Sequence, residues 1–262
     1  MDLAESLAHR PTAGERHPWE QVRFEFLYSH LQDQAVLKAG SIIIDIGCGD
    51  AYITEQLALH HPECLFLGID PAFTAEHFVS LQKNVTASNI QFFKSQEEAY
   101  AAIQGKTAAV ILLMDVIEHI ESDSQFLKAV REQPFVDNGT TFFITVPAFQ
   151  SIFTNRDRLL GHYRRYTKKQ LAALVQQSGF LTIQSGYFFL FPLFGRALRS
   201  LIQRFTPSLG AYRERSLRWN STKPLHFLTR SLLRIDLFLS SALSRIGLNR
   251  FGLSIYSIVK KR

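Results

Sequence analysis

Apolar residues recur along the chain in two alternating patterns. Compact runs rich in Ile, Val, Leu and Phe occur at 41–46, 64–69, 90–93, 108–114, 140–146 and 181–189, and predict strands. Between them, apolar positions three and four residues apart predict helices over 51–60, 74–83, 96–103, 122–133 and 168–178. Thr167 is the expected N-cap of the last of these helices, and Gly179 ends it. A helix over 17–32 puts Trp19, Val22, Phe26 and Leu27 near one face and turns Arg23 and Glu25 elsewhere. Residues 1–15 read as a loose tail, and 253–259 as a final strand. Strands separated by helices predict an α/β domain with a mainly parallel sheet, right-handed crossovers and helices on both faces.

A stretch of about 60 residues, 190–251, interrupts this alternation and reads as a helical insertion before the last strand. It carries two apolar stripes. Phe194, Leu198, Leu201 and Phe205 form one, with Arg196, Arg199 and Arg204 off it. Leu225, Leu228, Leu232, Ile235, Leu239, Leu243 and Ile246 form the other, with His226, Arg230, Arg234 and Arg245 on another face. A basic-flanked stripe suits a helix lying in a membrane interface. The same stripe would also suit a lid that packs on the main domain.

Charge sharpens that choice. The net +6 conceals a split: residues 1–150 hold 9 Lys+Arg against 20 Asp+Glu, or −11, and residues 151–262 hold 20 against 3, or +17. The second half is therefore suited to meeting an anion, such as lipid head groups or a phosphorylated carrier. No nucleic-acid-binding module is recognisable, and the basic residues are mixed with bulky aliphatics, so nucleic acid is not an expected partner. Residues 1–14 lack the apolar segment of a signal peptide, and no run approaches the roughly 18 apolar residues of a membrane span; the longest is 187–194. Cys48 and Cys64 are too few for a disulfide scaffold and sit in no metal-ligand spacing. With 46% hydrophobic residues a large core is expected, in one domain and a reducing, cytoplasmic setting, with a peripheral place on the inner membrane face.

The first strand runs into Asp45-Ile46-Gly47-Cys48-Gly49. Two glycines at alternate positions allow a tight turn and a close approach of ligand to backbone. Asp70 ends the second strand 21 residues after Gly49, a spacing at which a carboxylate can meet both hydroxyls of a ribose. An N-cap or turn role before Pro71 is the plain alternative. After the fourth strand come Asp115-Val116-Ile117-Glu118-His119.

Together these motifs resemble the class I S-adenosylmethionine-dependent methyltransferases, in the small-molecule branch with an Asp-x-x-Glu-His block. A dinucleotide site fits less well, because Tyr52 stands where its third glycine belongs. In the methyltransferase pattern Ala51 replaces the last glycine. The resemblance implies a Rossmann-like seven-stranded sheet with an antiparallel last strand, and S-adenosyl-L-methionine as cofactor. It assigns cofactor binding to Asp45, Gly47, Cys48, Gly49, Asp70, Pro71, Met114 and Asp115, and to Ser95 and Gln96 after the third strand. An N-terminal helix over the cofactor is common in the family; plain packing on the sheet is the alternative.

Three roles stay open for Asp115, Glu118 and His119: His119 as general base, the three side chains as holders of a hard divalent ion, or a loop brace. A second block, Val146-Pro147-Ala148-Phe149, Asp157 and Gly161-His162-Tyr163-Arg164-Arg165-Tyr166-Thr167, resembles a bacterial, envelope-associated subgroup. His162 is a second candidate base. Tyr163, Arg164 and Arg165 are candidates for the acceptor, the arginines as an anion clamp, or for a structural loop with solvated arginines. The reading is methyl transfer to the oxygen of a lipid-like, aromatic or carrier-bound acceptor, without a resident metal. A binding or assembly protein that keeps only the fold is the alternative.

Overall fold

The computed structural model describes residues 16–205, 222–245 and 249–262. The tail expected over 1–15, Ile246, and the side chains of Arg204, Phe205 and Arg245 lie outside the described part.

The chain order is α1 (Pro18–Asp33), β1 (Ile42–Ile46), α2 (Tyr52–His60), β2 (Leu65–Ile69), α3 (Ala75–Asn84), β3 (Ile90–Phe93), α4 (Gln96–Ala102) and β4 (Val110–Met114). A single 3-10 turn, Ile117–His119, follows β4. Then come α5 (Asp123–Arg131), β5 (Thr141–Pro147), α6 (Asn155–Leu159), α7 (Lys168–Gln177), β6 (Phe180–Phe188), α8 (Leu190–Phe205), α9 (Lys223–Arg245) and β7 (Ser254–Lys261). Among the described residues, the short α6 and a 3-10 turn over Gln150–Ile152 lack a counterpart among the expected elements. Thr167 caps α7 through a reciprocal pair with Gln170, and Gly179, at φ +83°, closes it.

The seven strands form one sheet in the order β3-β2-β1-β4-β5-β7-β6. β7 is antiparallel to both neighbours, and the other pairings are parallel. This is the seven-stranded, mostly parallel arrangement expected. The order reverses between β1 and β4, so their carboxyl ends open a crevice of the kind in which open sheets hold ligands.

Both faces of β1 are covered, and period-2 alternation divides its side chains between two layers. Ile42, Ile44 and Ile46 pack with Leu67, Ile69, Ile111 and Phe142 on one face. Ile43 packs with Phe66, Val110, Phe143 and α1 on the other. α1 buries Val22, Phe26 and Leu27 against this second layer, and Phe26 stacks on Phe188 at 4.4 Å.

The insertion joins the domain through Leu233 and Leu237 of α9, which pack in the second core layer with α1, and is tied together and to the domain by polar contacts. Asp236 of α9 accepts the backbone N–H groups of Leu190 (2.9 Å) and Phe191 (2.8 Å), capping the orphan donors at the start of α8. Asn249 accepts from the Tyr187 N–H and donates to the Tyr187 and Ser240 carbonyls. Glu25 of α1 receives Arg230 and Arg234 of α9. Among the described residues, no helix is long and apolar enough to cross a membrane.

Candidate active site

The crevice is built first by the turn after β1. Gly47 and Gly49 have φ of +76° and +56°, and a Cβ on Gly47 would meet Val116 Cγ2 at 2.7 Å. That close approach joins the β1 turn to the loop after β4, and excludes other residues at Gly47. Ala51 is left-handed at φ +59°, so it serves where a glycine would be easier. The Gly47 and Cys48 N–H groups donate to the Ile69 carbonyl, which locks the turn to the end of β2. The turn's remaining donor, Gly49 N–H, reaches Asp70 Oδ2 at 3.1 Å, and Asp70 Oδ1 accepts Ala72 N–H at 3.0 Å. A carboxylate with two oxygens and about four acceptor sites keeps capacity for further donors. Pro71 is exposed beside it.

Asp45 is buried at the end of β1. One oxygen accepts the Thr54 hydroxyl at 2.5 Å, and the other has no hydrogen-bond partner among the described residues. Burial pushes its carboxyl up to about 6; Asp70 adds to the rise, and the Thr54 hydroxyl and Arg23 oppose it. Burial, with Asp45 and Asp70 nearby, raises the Cys48 thiol well above its ordinary range, so Cys48 is a neutral filler of the turn. Ser95 caps α4 by accepting Glu98 N–H at 3.2 Å. The neighbouring Gln96 Oε1 is buried without a partner among the described residues.

On the other wall, Met114 lies beside Thr145, and Asp115 has a left-handed backbone at φ +58°. That sparsely populated conformation is held by bonds from Asp115 N–H to the Thr145 carbonyl and hydroxyl oxygens, each at 3.1 Å. Asp115 Oδ2 pairs with Arg23 Nη1 at 2.5 Å, and Arg23 Nη2 donates to Thr145 Oγ1 at 2.7 Å. Arg23 therefore points into the crevice and not away from it. α1 packs on the sheet, as in the plainer of its two expected roles, and also sends the Arg23 guanidinium to Asp115 at the carboxyl end of β4.

The Ile117–His119 turn buries Glu118 completely. Neither carboxylate oxygen has a hydrogen-bond partner among the described residues. Burial, reinforced by Asp115, drives its carboxyl strongly upward from the ordinary range. The loop after β5 docks here through Tyr163 N–H donating to the Glu118 carbonyl at 2.8 Å. This bond brings His162 to His119, with ring centroids 4.6 Å apart at 88°. Glu118, His119 and His162 each offer a ligand atom, all within 4.8 Å of one another. The divalent-ion alternative thus changes membership: Asp115 turns to Arg23, and His162 takes its place.

Asp157 is the hub behind this cluster. It lies 3.4 Å from His162 Nδ1, and accepts Arg165 Nη2 at 2.6 Å and Nε at 3.0 Å, Arg196 Nη2 at 2.5 Å, and the Thr154 N–H at 2.7 Å. Burial works against its ionisation, yet the bonds from His162 and Arg165 outweigh it and hold Asp157 well below the usual carboxylate range. This geometry corrects the role expected for Arg165. Its guanidinium is buried and committed to Asp157 and the Ala148 carbonyl, so it braces the loop and is not an anion clamp. Arg164 donates to Asp123 at 2.8 Å and to the Glu121 carbonyl at 2.7 Å, and its guanidinium lies 5.7 Å from the exposed Tyr163 ring. The arrangement can therefore offer ribose and ammonium partners on one wall and two imidazoles with a carboxylate on the other.

Residues 19–185 match the family described as "Methyltransferase domain". A relative named "Ubiquinone biosynthesis O-methyltransferase", from Nitrosospira multiformis, is 27% identical over 114 residues, covering 44% of this chain and 46% of that protein. The Photobacterium profundum protein of the same name is 24% identical over 135 residues, covering 51% and 55%. The chain thus spans about half the length of the curated relatives it matches. Among solved structures, coclaurine N-methyltransferase bound to N-methylheliamine and S-adenosylhomocysteine superposes with a TM-score of 0.54 at 13% identity, over 91% of this chain and 70% of that one. A SAM-dependent methyltransferase from Archaeoglobus fulgidus gives 0.51 at 14% identity, over 93% and 97%. At such identities these two matches establish a shared fold.

Proposed function

The chain belongs to the methyltransferase-domain family, and on that premise we propose that it transfers a methyl group from S-adenosyl-L-methionine to an oxygen of a small-molecule acceptor. The sulfonium donor is already activated, so the protein's task is to align the acceptor and remove its proton. One observation carries the proposal. A buried Glu118 carboxylate, without a hydrogen-bond partner among the described residues, sits with His119 and His162 at the carboxyl edge of the sheet, on the loop that meets the Gly47–Gly49 turn. Asp70 is suited to the ribose and Asp45 to the donor's ammonium, while Arg23 holds Asp115 and Thr145 in place beside them. His162, backed by Asp157, is suited to take the acceptor's proton. The names of the matched relatives support oxygen as the target. A lipid-like or aromatic acceptor, met in the cytoplasm at a membrane face, fits the basic second half of the chain. The test is incubation with methyl-labelled S-adenosylmethionine and a panel of phenolic lipids. Label is expected in the organic phase, and its absence with every acceptor would count against this substrate class.

The same cluster supports a second reading. Glu118, His119 and His162 would hold a divalent cation, and their donor set is richer in nitrogen than calcium or magnesium prefers, suiting manganese or zinc. Such a cation would lower the pKa of an acceptor hydroxyl. This reading predicts that chelator abolishes transfer and that added Mn²⁺ restores it. Unchanged turnover after exhaustive chelation would leave His162 as the base.

Asp45 sets a pH dependence. Its carboxyl titrates at about 6 in the folded chain against an ordinary 3.8. Because the folded pKa is the higher one, its effect on stability is most favourable below about pH 4 and is lost as pH rises through 6. Donor binding moves the other way, since the ammonium needs the ionised carboxylate. The donor's affinity is expected to fall about tenfold between pH 6.5 and pH 5. Asp45→Asn should flatten that slope, and an equally steep slope in the variant would assign it to another group.

A further inference from the structure

An amphipathic helix usually buries its apolar stripe and shows its polar face to water. Both insertion helices instead leave their longer apolar stripe outside. On α9, Leu225, Leu228, Leu232, Ile235 and Leu239 follow each other at intervals of three and four, and all five are exposed. The side of α9 that meets the domain carries Leu233, Asp236 and Ser240, all buried, with Leu237 packed beside them on the core. On α8, Phe194, Leu198 and Leu201 are exposed, and Leu193 and Ser200 are buried. The stripes therefore do not pack as a lid. They form an outward apolar surface on two helices joined by Asp236, with more exposed aliphatic and aromatic groups than scattered surface hydrophobics explain.

The charges around this surface select its occupant. Asp236 is the only acidic residue in α8 and α9, and it is buried beneath them as the α8 cap. Arg199 and Lys223 on these helices, and Arg250 just beyond, are exposed. The surface is thus apolar with a basic margin and no outward carboxylate among its described residues. A second copy of the chain would set basic margin against basic margin, whereas an anionic bilayer supplies both an apolar interior and negative head groups. We propose that the outward faces of α8 and α9 dock on an anionic lipid surface, lying in its interface without crossing it.

This surface adjoins the candidate active site. Arg196 of α8 donates to both Asp157 and Thr154, and Asp157 also contacts His162. Docking would therefore hold the acceptor side of the crevice at the head-group layer. Only this last consequence rests on the proposed methyl transfer; lipid binding itself does not.

The experiment is co-sedimentation of the full chain with vesicles, without donor or acceptor, so that a failure of the catalytic reading leaves the result interpretable. With vesicles containing phosphatidylglycerol at low salt, most of the protein is expected in the pellet. Pure phosphatidylcholine should bind at least about tenfold more weakly. Leu232→Glu with Ile235→Glu, at exposed positions, should weaken binding about tenfold or more without changing the thermal midpoint. Lys223→Gln with Arg250→Gln should reduce the preference for anionic lipid. No pelleting, equal pelleting of the Leu232/Ile235 variant, or a vesicle-indifferent dimer abolished by that variant would each overturn the proposal, the last in favour of a second copy.

Discussion

Exchange of His162 for alanine is expected to lower the turnover of methyl transfer by about two to four orders of magnitude, with donor affinity unchanged within about twofold. The size of the effect follows from its position. His162 is held by its own N–H to the Asp157 carbonyl at 2.9 Å, by Asp157 Oδ1 at 3.4 Å from Nδ1, and by the edge-on ring of His119. The backbone bond survives the substitution, so the loop remains anchored by Tyr163 N–H on the Glu118 carbonyl. Rescue separates the two chemical readings. If His162 is a base, added imidazole restores part of the rate. If it is a cation ligand, excess metal does so, and Glu118→Gln shows the same metal dependence. A loss of activity that tracks a fall in thermal midpoint would instead make His162 a brace of the loop.

Asp70→Ala is expected to weaken S-adenosylmethionine binding about a hundredfold. A hydrogen bond to a charged group contributes roughly 1.5–3 kcal/mol, and two ribose hydroxyls meeting one carboxylate account for a loss of that order. The substitution also removes the acceptor for Gly49 N–H, so part of the effect comes from a looser glycine turn. Asp70→Asn keeps the side-chain shape and one acceptor oxygen, and should fall between wild type and alanine. Equal affinities in all three proteins would remove Asp70 from the donor site.

Much of the scaffold was legible because local pattern and burial agree. The Ile42–Ile44 run predicts a strand covered on both faces, and the alternation of its side chains between two core layers shows why no polar residue is tolerated there. The Gly47–Gly49 turn and Asp70 could be paired from spacing, because the parallel β1–β2 register brings Asp45 beside Gly68 and the strand ends together. What spacing did not reveal was direction. Arg23 lies off the apolar stripe of α1, and periodicity alone does not tell a solvated arginine from one that reaches Asp115, 92 positions later. Arg165 has the composition of an anion clamp, but its carboxylate comes from within the chain, at Asp157. The stripes of α8 and α9 were equally visible in the sequence. Which way they face was not visible there: Leu233 and Leu237 pack on the core, Arg230 and Arg234 pair with Glu25, and Asp236 caps α8, so the stripes are left on the outer side.

These distinctions matter for the alternative of a non-catalytic protein that keeps only the fold. Such a protein has no need of a buried Asp45 oxygen without a partner among the described residues, an Asp70 carboxylate facing the glycine turn, or a strained Asp115 held by Thr145. Their assembly around one crevice makes donor binding the central claim. Titration calorimetry of the full chain with S-adenosylmethionine and with S-adenosylhomocysteine tests it most directly. The account predicts one site of micromolar affinity for either compound, weakened about a hundredfold in Asp70→Ala. Absence of binding to both by the folded protein, or binding that ignores the loss of Asp70, would contradict it.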